Sequence, residues 1–142
     1  MVPKGEFRHT EAQVEVRGQQ GHTFRLVLRQ ARLDPLDFSA IMLYVSADGA
    51  DYILRRHNGP HPSRHTNKFE KERKLANSLT EIGPLIHMAT QRYQEAGLEI
   101  DGYALPTAKF SDFESALTLL LEDTTCVAPE SPPDPGNPRL FP

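Results

Sequence analysis

Between Arg55 and Glu70 the chain reads RRHNGPHPSRHTNKFE. Three of its six histidines, His57, His61 and His65, fall within nine residues, beside Arg55, Arg56, Asn58, Arg64, Asn67 and Glu70. Imidazole takes or gives a proton near neutral pH without a perturbed pKa, and guanidinium forks suit phosphate or carboxylate. Metal-free cleavage of RNA needs a base for the 2′-hydroxyl proton, an acid for the leaving oxygen, and cations around the pentavalent phosphate. Two of these histidines, or one with Glu70, plus Arg55, Arg56 or Arg64, supply those parts. Asn58 and Asn67 could hold a phosphate or orient an imidazole. Gly59, Pro60 and Pro62 interrupt the segment, so it reads as a site laid on a loop.

Other readings of the same residues stand beside this one. His57, His61 and His65 are spaced by four, which would align them on a helix, but the Gly and Pro residues forbid that helix. With Glu70 or His87 they could still converge on zinc from a loop. Ligands at such arbitrary spacing single out no metal, and neither a metal nor a cofactor is expected. The blandest reading is a solvated, charged surface. His87 lies in an amphipathic segment, either as a satisfied core histidine or as a site residue looking back at the loop. Thr90, Arg92 and Tyr93 share that question, and the spacing of Tyr93 from Ala89 and Ala96 assigns it to the core.

The elements that must position these residues are legible in part. With 142 residues, 38% apolar and 25% charged, the chain has room for one domain with one modest core. The single cysteine, Cys126, excludes an intrachain disulfide and a Cys-based zinc cluster. No stretch has the roughly 18 apolar residues of a membrane span, and the N-terminus carries no apolar signal region. A cytoplasmic protein with no membrane contact is expected. The net charge of −3 hides a local excess: seven Lys or Arg lie between Arg55 and Lys74, against Glu70 and Glu72. Such a stretch could face a polyanion such as RNA.

Gln13–Arg17 alternates polar and apolar residues and is followed by the turn signal Gly18-Gln19-Gln20-Gly21. In Thr23–Arg29, Phe24, Leu26 and Leu28 share one face, and only Val27 spoils the alternation. Ser39–Val45 is apolar on both faces, as for a central strand. Asp48-Gly49 is a hairpin turn, with Tyr52–Arg56 returning and the histidine segment at its end. Lys68–Leu79 reads as a short helix. Leu85–Ala96 reads as an amphipathic helix, with Pro84 at its start and Gly97 at its stop. Leu98–Tyr103 reads as extended or turn-like, with an edge strand as one form of it. Ser111 and Glu114 suggest a capping box for a last helix with Phe113, Ala116, Leu117, Leu120 and Leu121 buried. The expectation is an α+β domain over residues 1–127, with an antiparallel meander of about four strands and two or three helices on one face. Residues 128–142, rich in proline, read as a disordered tail.

The runs YILRRHNGPHPSRHTNKFE and IHMATQRYQEAGLEIDGYALPT, with the closing LLLED, resemble a family of small uncharacterised bacterial proteins. Its pattern is R-x-x-N-G-x-H, H-x-N-x-x-E, H-x-A-T-x-R-Y-Q and D-x-Y-A-x-x-T before a last helix. The resemblance spans about Tyr52 to Asp123. It singles out Arg55, Asn58, Gly59, His61, His65, Asn67, Glu70, His87, Thr90, Arg92, Tyr93, Gln94, Asp101, Tyr103 and Thr107. Where the family often has a further histidine, this chain has Leu85, and its stretch from Glu70 to His87 is longer. The segment after the hairpin is also similar to that of the TumE toxins of toxin–antitoxin systems, which act on RNA.

The resemblance implies a toxin-like protein of a toxin–antitoxin or mobile-element module, acting as a metal-independent ribonuclease. His61 and His65 would be the acid–base pair, with Glu70 and His87 completing the catalytic group. Arg55, Arg56, Asn58, Arg64, Asn67 and Arg92 would bind substrate. RNA and a cognate antitoxin protein are the expected partners. The alternative is a non-enzymatic interaction or regulatory module that binds protein or nucleic acid through the basic stretch and the tail.

Overall fold

Alternating apolar residues and tight turns fold the N-terminal half into successive hairpins. The computed structural model describes the backbone of residues 2–4, 9–61 and 63–124, and the side chains of 9–60 and 63–124. The tail expected at 128–142 lies outside the described residues. Strands β1 (Val2–Lys4), β2 (His9–Arg17), β3 (Thr23–Ala31), β4 (Phe38–Val45) and β5 (Asp51–His61) come first. After them come α1 (Lys68–Glu72), β6 (Gly83–Met88), α2 (Gln91–Glu95), β7 (Tyr103–Pro106) and α3 (Phe113–Asp123). All seven strands form one antiparallel sheet in sequence order. The class is α+β as expected, but the meander has seven strands rather than about four.

The sheet has two unlike faces. Val16, Leu26, Ala40 and Met42 pack under Leu120, while Phe38 and Ile86 pack with Phe110 and Ala116. These residues make α3 the lid of one face. Burying a leucine such as Leu120 contributes about 2 kcal/mol. Val27 and Ile41 point the other way and are also buried, so the break in alternation at Val27 reflects a strand with both faces covered. The segment from His65 to Glu70 and that from Tyr93 to Asp101 meet this second face through His87 and Arg56. The helices therefore do not share one face.

Three expectations are corrected locally. The segment Leu85–Ala96 is strand β6 followed by the short helix α2, capped by the Thr90 hydroxyl, which accepts from the Tyr93 amide at 3.3 Å. Lys68–Leu79 is helical only to Glu72, and the positive φ of Lys74 and Asn77 turns the chain away. The capping box of α3 is Asp112 with Ser115, one residue beyond the expected pair.

Candidate functional site

Strand β5 continues through His61, so His57 and Asn58 sit within the sheet rather than on a loop. Gly59 allows this, since a Cβ there would collide with the Leu36 carbonyl and the Phe38 ring. Strand alternation then sends neighbouring residues to opposite faces. Arg55 stands opposite Met88 and His57 opposite Ile86, on the α3 face, whereas Arg56 stands opposite His87 and Asn58 opposite Leu85, on the other.

On the α3 face, His57 is fully buried and stacks on Phe110, ring centroids 5.2 Å apart. Its Nδ1 donates to the Ala116 carbonyl at 2.9 Å, and its Nε2 accepts from Arg55 Nε at 3.1 Å. Arg55 Nη2 also reaches Asp123 Oδ2 at 2.6 Å. Burial is the main cause that holds the His57 pKa below the ordinary histidine value, with Arg55 adding to it against the Ala116 bond. This histidine is a neutral structural element joining β5 to α3.

The second face gathers the other candidates. The rings of His65 and His87 meet edge to face with centroids 4.9 Å apart. His65 Nε2 donates to the Gly102 carbonyl at 2.8 Å, and His87 Nδ1 to the Asp101 carbonyl at 3.2 Å. These bonds place the proton of each neutral ring on His65 Nε2 and on His87 Nδ1. Arg56 Nη2 donates to the buried Asp101 carboxylate at 2.8 Å, while its own Nε is buried without a partner among the described residues. His65 lines a cleft of about 190 Å³ with Thr66, Lys68, Tyr93 and Gly102. A Cβ at position 102 would lie 2.9 Å from the Tyr93 ring, which favours glycine there.

Glu70 and Asn67 are anchored rather than poised. Glu70 accepts from Arg92 Nε at 2.9 Å and from the Tyr93 hydroxyl at 2.6 Å. Burial pushes its pKa up, but the Tyr93 and Arg92 bonds together outweigh this and hold it below the usual carboxylate value. Burial and the Glu70 bond push the Tyr93 hydroxyl well above its ordinary pKa. Asn67 occupies the N-cap position of α1 without capping it, because its amide serves β7 instead. Its Nδ2 donates to the carbonyls of Ala104 (2.9 Å) and Asn77 (2.7 Å), and its Oδ1 accepts from the Ala104 amide at 2.8 Å. One side chain thus replaces a neighbouring strand at the sheet edge.

Of the residues expected from the sequence, His65, His87 and Arg56 come together, and Glu70 with Arg92 forms an adjoining pair through Tyr93. Arg55 is separated from them by the sheet. Asn58 Oδ1 is taken by the Ser39 hydroxyl at 2.9 Å. Arg64 is exposed on the connection after β5. The backbone of His61 pairs with Gly83. Asp101, which the D-x-Y-A element of the pattern singles out without giving it a role, is the partner that orients Arg56. Among the described residues, no three His, Cys, Asp or Glu side chains group as a metal site, and no helix is long and apolar enough to cross a membrane. Comparison with protein families, curated proteins and solved structures finds no match to this chain.

Proposed function

We propose that this protein is a toxin-like ribonuclease that cleaves RNA by acid–base chemistry at paired imidazoles, with a cognate antitoxin as its protein partner. The contact between His65 and His87, with Arg56 beside it, is the observation that carries this reading. One imidazole takes the 2′-hydroxyl proton as the 2′-oxygen attacks phosphorus. The other, protonated, gives its proton to the 5′-oxygen as the P–O5′ bond breaks, leaving a 2′,3′-cyclic phosphate. Arg56, oriented by Asp101, neutralises the charge that builds on the phosphorane. His61, expected from the sequence as the partner of His65, has a side chain outside the described residues, and His87 takes its place in this reading.

The test is induced expression in a bacterial host of the wild type beside His65→Gln and His87→Gln, with total RNA examined from each. Growth arrest with cyclic-phosphate ends only in the wild type is the expected result. Intact RNA and normal growth in all three would overturn it.

A second reading is favoured by the saturation of so many candidate groups. Asn67, Glu70 and His57 each spend their polar atoms within the fold, and Asn58 spends its Oδ1 there. That suits an interaction module, whose binding would survive the His→Gln changes and fall with Arg→Glu changes.

A further inference from the structure

The α1–α2 surface next to the histidine pair carries a second arrangement, built of arginines on aromatic rings. Arg73 Cζ lies 3.7 Å from the Phe69 ring centroid, and Arg92 Cζ lies 4.4 Å from that of Tyr103. Tyr93 links the two, with ring centroids 5.7 Å from Phe69 and 6.2 Å from Tyr103. Among the described residues Arg92 is held through one donor, its Nε on Glu70 Oε2, and the other Glu70 oxygen is filled by Tyr93. Its side chain stays 39% exposed while that of Glu70 is 6% exposed, so a partly solvent-facing guanidinium stands on a buried base. Arg73 is likewise exposed, at 44%.

An arginine fixed through Nε presents its remaining donors as a planar fork that matches a phosphate. Guanidinium planes also receive unpaired bases by stacking, which a duplex does not offer. Lys68, Lys71 and Lys74 stand exposed on the same stretch. Four cations between Lys68 and Lys74 face two acids, which favours a polyanion over an acidic pocket.

We propose that Arg73, Phe69, Arg92 and Tyr103 form a platform for single-stranded RNA, with phosphate on the Arg92 fork and a base on Arg73. This rests on the reading that the substrate is RNA, and it adds that the strand must be unpaired. The cleft shares Tyr93 and Lys68 with this surface, so a strand seated here would lead toward His65.

The experiment is fluorescence anisotropy of the full chain with a labelled 2′-O-methyl oligouridylate of about 12 nucleotides, which binds without being cleaved. The expected result is salt-sensitive binding, weakened about tenfold by Arg73→Ala and by Arg92→Lys, and weaker binding of a duplex of the same length. Arg92→Lys keeps the charge but not the fork, and Arg73→Ala removes an exposed side chain, so the test survives if either variant folds poorly. Equal affinity for duplex and single strand, or unchanged binding in both variants, would overturn the platform. Binding with this arginine dependence in a protein that leaves cellular RNA intact supports the platform and removes the catalytic reading. RNA cleavage in cells without binding of the probe does the reverse.

Discussion

The ring of His57 has both nitrogens occupied, Nδ1 by Ala116 and Nε2 by Arg55. Protonation would set two donors against each other at Nε2, in a place with no access to water. The unfolded chain takes up this proton near pH 6.5, whereas the folded pKa lies lower. Stability is therefore full above about pH 6.5 and falls as the pH drops below it toward the folded value. Denaturant midpoints measured from about pH 7.5 to pH 5.5 should fall for the wild type, and fall less steeply for His57→Asn. Equal slopes would assign the dependence to another group. Asn67 makes a different kind of case, since its one side chain bonds both backbone groups of Ala104. Asn67→Ala leaves them unpaired and should cost about 3 kcal/mol in equilibrium unfolding. A loss within about 0.5 kcal/mol, the usual range for surface changes, would mean that β7 does not depend on this amide.

Strands β2 to β5 were legible because their alternation and turn residues agree. Even the exception at Val27 had a physical meaning, a second covered face. Strand β6 was not legible. Leu85, Met88, Ala89, Tyr93 and Ala96 have helical spacing, yet Leu85, Ile86 and His87 are all buried between β5 and β7. A strand covered on both faces shows no alternation, and over six residues its pattern does not differ from that of a helix. The extension of β5 through Gly59 and Pro60 was hidden for a related reason. Gly and Pro signal turns, but here Gly59 is needed for close approach to Leu36 and Phe38. Gly59→Ala should force β5 away from the β3–β4 connection. We expect a loss of about 2 kcal/mol or more by denaturant titration, as for overpacked sites. A neutral substitution would show that this part of β5 yields easily.

Across the whole molecule, one sheet separates two clusters of similar composition. Each has a histidine, an arginine from β5 and an aspartate. On the α3 face these are His57, Arg55 and Asp123; on the other they are His87, Arg56 and Asp101. Residue types and spacing could not tell them apart, because strand parity and the crossing of residues 63–82 decide the face. The same substitution on each face therefore discriminates between structural and functional roles. Asp123→Asn removes a partly exposed partner of Arg55 and should cost about 1 kcal/mol or less, with the proposed RNA cleavage unchanged. Asp101→Asn breaks a pair whose carboxylate is 7% exposed and should cost about 3 kcal/mol, with cleavage lowered because Arg56 loses its orientation. The Arg56→Lys variant keeps the charge beside Asp101 but not the fork, so it should lower cleavage with a smaller loss of stability. Cleavage lost in Asp123→Asn, with Asp101→Asn and Arg56→Lys fully active, would move the chemistry to the α3 face and make His57 rather than His87 its centre.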